Sequence, residues 1–310
     1  MVAITVVGSF VVGITIRVPR PPVLGEGLIG DLFDIGPGGK GTNQALAAAR
    51  LGAEVSLIAC VGDDLFAPLA TGLYEAEGIS FEHIHRIEGV NTAVGMVTLL
   101  PSGENSIVGH LGANMHMQAA FIELADEQIA GSDIVMTQFE VPLEAAAKAM
   151  ERGRFYGALT LLNPAPGQPV FDSDQLAHVD LLTPNETEAR ILLGLEPDDP
   201  TPTADLARRL LDLGVRQVVV TLGAKGALIA SAGLMEQVSA PKIEALDVTG
   251  AGDSFNAALA VGLGEGLELR DAVEWATYAG AYCATHLGVI DGLPTREQLD
   301  AFRHSVAGAW

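Results

Sequence analysis

The stretch Asp247-Val248-Thr249-Gly250-Ala251-Gly252-Asp253-Ser254-Phe255 carries the strongest chemical signal in this chain. A Gly-Ala-Gly turn leads into a run that reads as a helix, with a carboxylate just inside its start. Small residues let successive backbone N–H groups converge on an anion, and a helix N-terminus adds positive potential. An aspartate at that spot can accept a proton from a hydroxyl. An anion pocket beside a base is what phosphoryl transfer to an alcohol requires. The plainer reading is a glycine-rich loop that starts a helix, with Asp253 facing the helix dipole.

A second glycine-rich turn, Gly38-Gly39-Lys40-Gly41-Thr42-Asn43-Gln44, feeds an alanine-rich helix that runs out at Leu51-Gly52. Lys40 and Asn43 are donors suited to sugar hydroxyls. No Gly-Lys-Ser/Thr follows at the spacing of a Walker A loop. A dinucleotide fingerprint should follow the first strand, where only Gly8-Ser9-Phe10 stands.

Five further stretches lie between these two: Gly112-Ala113-Asn114, Gln138-Phe139-Glu140, Asn163-Pro164-Ala165-Pro166, Thr183-Pro184-Asn185-Glu186-Thr187-Glu188 and Thr221-Leu222-Gly223-Ala224-Lys225-Gly226. With the whole ordered set, the chain resembles the ribokinase/PfkB family of carbohydrate kinases over nearly its full length, its ribokinase members most. The resemblance implies an ATP-dependent kinase that moves the γ-phosphate to a primary hydroxyl of ribose or a related sugar. It makes Asp253 the general base and the amides of Gly250, Ala251 and Gly252 the stabilisers of the transferring phosphoryl group. Gly39, Lys40, Asn43 and Glu140 match positions that hold sugar hydroxyls.

Asn185 and Glu188 lie three apart at a helix start, hence on one face. They match the family's Asn-x-x-Glu motif, which holds water around Mg²⁺. A capping Asn with a first-turn Glu accounts for the same pair. Thr221, Gly223, Lys225 and Gly226 follow a strand and belong at the carboxyl edge of the sheet, where nucleotides bind, with Asn185 beside them. Lys225 is the cation expected to reach an ATP phosphate. Asp247 and Thr249 resemble the family's K⁺ site, whose backbone partners would come from Cys283, His286 and Gly288. There Gly288-Val289-Ile290-Asp291-Gly292 stands where Gly-Ala-x-x-Ser is common.

One departure bears on the acceptor. Ribokinases carry Asn and Asp shortly after the first Gly-Ser, and the matching residues here are Val11 and Gly13. Neither offers a side-chain hydrogen bond, and each unsatisfied hydroxyl costs roughly 1–3 kcal/mol. An acceptor with an apolar or bulky group at that end would suit them, unless Asp31 or Asp34 turns inward instead. Arg17 and Arg20 lie nearby, as partners for an anionic substituent or as solvated charges. The competing readings are a nucleoside or modified-sugar kinase of the same family and a non-catalytic sugar- or nucleotide-binding regulator. The intact Asp253 and anion loop argue against the regulator.

These residues need a scaffold. Apolar β-branched runs at Ile4–Gly8, Glu54–Cys60, Ile134–Gln138, Ala158–Asn163, Leu181–Pro184 and Gln217–Leu222 read as buried strands. Helical patterns cover Gly41–Leu51, Leu65–Glu77, Met117–Ala125, Leu143–Arg152, Glu186–Leu193, Thr203–Leu213 and Asp253–Gly264. Such alternation predicts an α/β domain over residues 1–310, with a parallel-rich sheet covered by helices on both faces. Residues 11–36 and 92–110 break the alternation, the latter as a hairpin turning at Pro101-Ser102-Gly103-Glu104. The resemblance makes them a small β-sheet lid over the sugar site, and pairing of two such lids suggests a homodimer.

Composition narrows the class. The chain has 310 residues, 49% of them hydrophobic and 5% aromatic, which excludes disorder. A formal charge of -22 argues against a nucleic-acid or anionic-membrane partner. The two cysteines, Cys60 and Cys283, read as buried reduced thiols. Met1 to Ile16 lacks the basic start of a signal peptide and reads as a first strand, and no run approaches a membrane span. A cytoplasmic enzyme is the expectation.

Overall fold

The computed structural model describes residues 1–102, 104–168 and 176–307. Its strands in chain order are β1 (Ala3–Val7), β2 (Val11–Arg17), β3 (Leu32–Gly38), β4 (Glu54–Gly62), β5 (Ser80–Ile87), β6 (Ala93–Leu99) and β7 (Asn105–His110), then β8 (Ile134–Gln138), β9 (Leu159–Asn163), β10 (Leu181–Leu182), β11 (Gln217–Thr221), β12 (Ala227–Ser231) and β13 (Leu234–Val238). Nine of them form the main sheet, in the order β13-β12-β11-β10-β9-β8-β1-β4-β5. From β11 to β5 every pairing is parallel, while β12 and β13 add an antiparallel hairpin at one edge.

Burial explains the parallel arrangement. Ile4, Val6, Val7, Val135 and Met136 are each at most 1% exposed, so the central strands are covered on both faces. Helices Lys40–Arg50, Ala251–Gly264 and Leu269–Ala284 pack on one face, and helices Leu143–Tyr156, Glu186–Leu192 and Thr203–Asp212 on the other. Parallel strands bring their carboxyl ends to one edge. The ends of β1, β8, β9, β10 and β11 therefore deliver Ser9, Glu140, Asn163, Thr183 and Thr221 to the same side of the molecule.

The expected α/β class holds, with corrections in detail. The strand expected to Pro184 stops at Leu182, because Asn185 already caps the next helix. In place of one helix over Met117–Ala125 there is a 3₁₀ turn at Gly112–His116 and a short helix Ala119–Leu124. The last helix of that list begins at Ala251, two residues ahead of Asp253. Strands β5, β12 and β13 and helices Leu269–Ala284 and Arg296–Ala307 were not foreseen. β5 is an edge strand whose sequence, SFEHIHRI, mixes charge and imidazole with apolar residues.

The two segments outside the alternation build a second sheet, in the order β3-β2-β6-β7. β2 pairs antiparallel with β3 and parallel with β6, and β6 turns back into β7. The hairpin is closed by Leu100 N–H donating to Glu104 C=O at 2.8 Å. Gly103 of the expected turn lies outside the described residues.

Candidate active site

Two helix starts meet at the carboxyl edge. Helix Lys40–Arg50 begins against the loop after β1: Gly41 approaches so closely that a Cβ there would lie 2.3 Å from Ser9 N. Ser9 fastens the contact. Its carbonyl accepts from Thr42 N and Thr42 Oγ1, and its hydroxyl donates to Glu140 Oε2 at 2.5 Å. That same carboxylate oxygen accepts from Lys40 N at 2.8 Å, neutralising the helix start. Gly39 has φ 95°, a left-handed conformation that favours glycine.

The second helix, Ala251–Gly264, starts from Gly250 at φ 82°, where a Cβ would meet Val289 Cγ1 at 2.7 Å. Of the three amides expected to bind an anion, that of Ala251 donates to Val248 C=O at 3.2 Å. Ser254 N–H is taken by Gly250 C=O. The first-turn amides of Gly252 and Asp253 lie between them with no intrahelical acceptor.

Asp253 is 5% exposed, and both of its oxygens are held. Asn43 Nδ2 donates to Oδ2 at 2.8 Å, and Gln44 Nε2 donates to Oδ1 at 3.0 Å. Gln44 is itself fixed, accepting from Gln138 Nε2 at 2.6 Å and donating to Asn163 Oδ1 at 3.1 Å. Asn163 Nδ2 donates to Thr183 C=O, Thr183 Oγ1 to Asn256 Oδ1, and Asn256 Nδ2 to Gly252 C=O. A buried chain of amide side chains thus ties the carboxylate and its glycine turn to the ends of β8, β9 and β10. The dipole-facing carboxylate of the plainer reading would not need this orientation.

Beside Asp253 opens a cleft of about 310 Å³ lined by Lys40, Asn185, Glu188, Thr221, Thr249, Gly250 and Gly252, among others. Lys40, expected among sugar hydroxyls, lines this cleft with the anion turn and lies beside Glu140 and Asp253. Burial works against its ammonium, but Asp253, Glu140 and Glu188 outweigh that and hold its pKa above the usual lysine value. Lys225 departs from expectation. It sits exposed on the 3₁₀ turn Gly223–Lys225, outside the cleft lining, because the chain turns away after β11. Gly223 is exposed on the same turn, and Gly226 is buried where a Cβ would strike Val238 C=O.

Asn185 and Glu188 form a reciprocal capping box. Asn185 Oδ1 accepts from Glu188 N and Glu188 Oε2 from Asn185 N, both at 2.8 Å. Capping does not exhaust them, since both also line the cleft and each keeps a further polar atom. Burial raises the Glu188 pKa, against the pull of the Asn185 N–H and Lys40. A hard cation bound through water suits such a half-buried carboxylate.

Asp247 lies on the other side of the turn, accepting from Thr249 N at 2.9 Å and Gly288 N at 3.2 Å. The loops expected to share a monovalent cation are therefore in contact. Thr249 C=O also accepts from the Cys283 thiol at 3.5 Å, whose pKa burial and two nearby aspartates push up to about 12. Carbonyls and a carboxylate facing one another fit a weakly hydrated cation. The His286 side chain takes no part, because it bonds Tyr282 C=O and stacks on the Tyr282 ring.

Two arginines and an aspartate near Val11 are engaged in surface pairs, and Asp34 shares the Val11 face of the sheet. Arg17 pairs with Asp31 at 2.8 Å in solvent, Arg20 pairs with Glu26, and Asp34 is exposed on β3. Asp31 does not turn inward. Ser9, Gln44 and Asn256 are site residues that sequence reasoning missed. Their only sequence signal is adjacency to motif residues.

Comparison with known proteins agrees with this geometry. Residues 4–296 match the model of the pfkB family of carbohydrate kinases. The ribokinase of Haemophilus influenzae is 36% identical over 303 residues, covering 97% of this chain and 99% of that protein. A deoxyribokinase of Salmonella typhi is 33% identical over 299 residues, 96% of this chain and 98% of its own. Among solved structures, Arabidopsis thaliana ribokinase complexed with ribose and ATP superposes with a TM-score of 0.88 at 28% identity, covering 97% of this chain and 99% of that one. On a match that spans nearly its whole length, the chain belongs to the pfkB family of carbohydrate kinases.

Proposed function

We propose that this protein transfers the γ-phosphoryl group of ATP to a primary hydroxyl of ribose or a related sugar, with Asp253 as the general base. The observation that carries the reading is the Asp253 carboxylate, aimed by Asn43 and Gln44 beside the Gly250–Gly252 turn. In the step, the acceptor oxygen forms a bond to the γ-phosphorus, the bond from γ-phosphorus to the bridging β-phosphate oxygen breaks to leave ADP, and the hydroxyl proton passes to Asp253. The amides of Gly252 and Asp253 meet the charge on the transferring group. Lys40, ringed by carboxylates until ATP arrives, exchanges them for phosphate oxygens.

Asn185 and Glu188 would hold Mg²⁺ through water, and that ion supplies charge neutralisation between phosphates. Asp247 and the carbonyls of Thr249, Cys283 and Gly288 would hold K⁺ and keep the turn in shape. On the acceptor side, Glu140 Oε2 is engaged by Ser9 and Lys40, leaving Oε1 for a sugar hydroxyl. A homodimer through the lid is supported by an apolar outer face, where Phe33, Ile35, Met96 and Val108 are 41–74% exposed on one side of the sheet. Two buried free thiols accord with a cytoplasmic setting.

The test is ATP turnover against pentoses, hexoses, sugar acids and nucleosides, in K⁺ and in Na⁺. Acceptor-dependent ADP formation with a pentose or pentose derivative is the expected result. Stoichiometric acceptor binding with no ADP formed would favour a sugar-binding regulator.

A further inference from the structure

Gly112-Ala113-Asn114 lies outside the cleft lining, yet it holds the place where the two sheets join. The chain passes between the sheets four times. It leaves β1 for β2 through residues 8–10, leaves β3 for helix Lys40–Arg50 at Gly39, leaves β5 for β6 through residues 88–92, and returns from β7 through residues 111–114. Asn114 stands on the last crossing, is 1% exposed, and reaches back to the first. Its Oδ1 accepts from Phe10 N at 3.2 Å, and its Nδ2 donates to Phe10 C=O at 2.9 Å. Phe10 is buried and belongs to neither β1 nor β2, so no strand ladder serves its peptide groups. Buried N–H and C=O groups need partners, and an asparagine side chain supplies an acceptor and a donor together.

The same turn grips the third crossing. Gly112, at φ 45°, packs so closely that a Cβ there would strike Asn91 C=O, and Ala113 N donates to that carbonyl at 2.9 Å. The next residue, Thr92, is held from the core. Its N–H donates to Asp64 Oδ2 at 2.6 Å, its hydroxyl donates to Asp64 Oδ1 at 2.8 Å, and the same hydroxyl accepts from Gly62 N at 2.9 Å. The second crossing lies on the first, since a Cβ at Gly39 would come within 2.9 Å of Val11 N and 3.1 Å of Ser9 C=O. The Phe10 ring meets Tyr74 edge-on at 6.2 Å, and the Tyr74 hydroxyl bonds Thr42 Oγ1 at 2.8 Å. All four crossings therefore form one junction, in which the Asn114 side chain ties the last to the first.

Resting on the kinase reading, we propose that Asn114 is a positioning residue for the acceptor. It acts through the Phe10 backbone on the two residues beside it. Ser9 donates its hydroxyl to Glu140 Oε2, the carboxylate assigned to a sugar hydroxyl, and Val11 forms the wall at the far end of the sugar. Holding Phe10 sets the spacing between that carboxylate and that wall. The groups assigned to ATP, among them Asn185, Glu188, Thr221 and Gly250, stand on elements that do not pass through the junction. Loss of the Asn114 bonds should therefore loosen the acceptor and leave the nucleotide as it was. A tie that only stabilised the fold would make no such distinction between ligands.

The experiment uses the full chain with Mg²⁺, K⁺, ATP and the best pentose of the acceptor panel. Both KM values are read from ADP release, pentose and ATP binding are each read by calorimetry, and a thermal melt monitors folding. Asn114→Leu removes both bonds at similar volume. Thr92→Val removes the hydroxyl bonds to Asp64 and Gly62, keeps the backbone bond, and is the second variant should Asn114→Leu fail to fold. Asn114→Leu should raise the acceptor KM and its calorimetric Kd by on the order of tenfold, with the ATP values kept within about twofold. Thr92→Val should move the acceptor values the same way by less. A lower melting temperature with both KM values unchanged, or an ATP KM raised as much as that of the acceptor, would overturn the proposal. So would unchanged acceptor values in Thr92→Val, if that is the variant that folds. If no acceptor turns over, the kinase reading fails and calorimetry still decides. Pentose binding weakened by Asn114→Leu with ATP binding kept upholds the positioning role, and pentose binding that is absent from the wild type or unchanged in the variant ends it.

Discussion

At the Gly250–Asp253 end of the cleft, polar groups are supplied in excess. Asp253 is held by two amides, one of those amides by two more, and the chain closes through Asn256 onto the glycine turn. At the lid end, about 14 Å of sheet, three spacings across four strands, presents Val11, bare glycine backbone and one unpartnered acceptor. On the proposed function, the first region holds the reacting group and is the part where substitution costs most. The second offers shape and almost no hydrogen bonding. The proposed function thus assigns chemistry and choice of acceptor to separate parts of the fold, and substitutions at each end should touch different kinetic constants.

The largest effect is expected at the polar end. Asp253→Ala should lower kcat by about 10²–10⁴ with ATP affinity kept within a few-fold, read by coupled ADP release and calorimetry. Normal turnover would break the contrast at its base. Next comes Gln44→Leu, which strips one donor from Asp253 and leaves Gln138 Nε2 and Asn163 Oδ1 without the partners that Gln44 gives them. A loss of about 10–100-fold in kcat is expected for a hydrogen bond to a charged group, with a lower melting temperature from the two stranded amides. A variant that melts early but turns over normally would make Gln44 structural only. The mildest is the cation: turnover in KCl should exceed that in matched NaCl several-fold, and equal rates would remove Asp247 and Thr249 from the account of the turn.

What the sequence made legible follows the same division. Asp253 and Gly250–Gly252 are neighbours along the chain, so their chemistry can be read without a fold. Asn43 and Asp253 stand 210 residues apart, and their bond was visible only as two separate motifs. Gln44 gave no signal, because its role depends on partners arriving from β8 and β9. Lys40 lines the cleft and Lys225 does not, for a related reason: which loop lysine enters it is set by the direction of the chain after a strand. The departure at Val11 and Gly13 was plain in the sequence. That Gly13 belongs to a row with Gly36, Gly95 and Gly109 was not, since register across four strands is a property of pairing. β5, β12 and β13 escaped because edge strands carry polar residues and lose the continuous apolar run of the centre.

The separation of the two ends is tested most directly by the kinetics of ribose phosphorylation in the wild-type chain and in the double variant Val11→Asn, Gly13→Asp, with a thermal melt to confirm folding. Two restored hydrogen-bonding partners are worth about 1–3 kcal/mol, so the ribose KM should fall by about tenfold while kcat stays unchanged. In the wild type the ribose KM should lie well above that of the best acceptor. A wild-type ribose KM already in the range of the best acceptor, or a double variant that changes kcat and leaves KM alone, would contradict it.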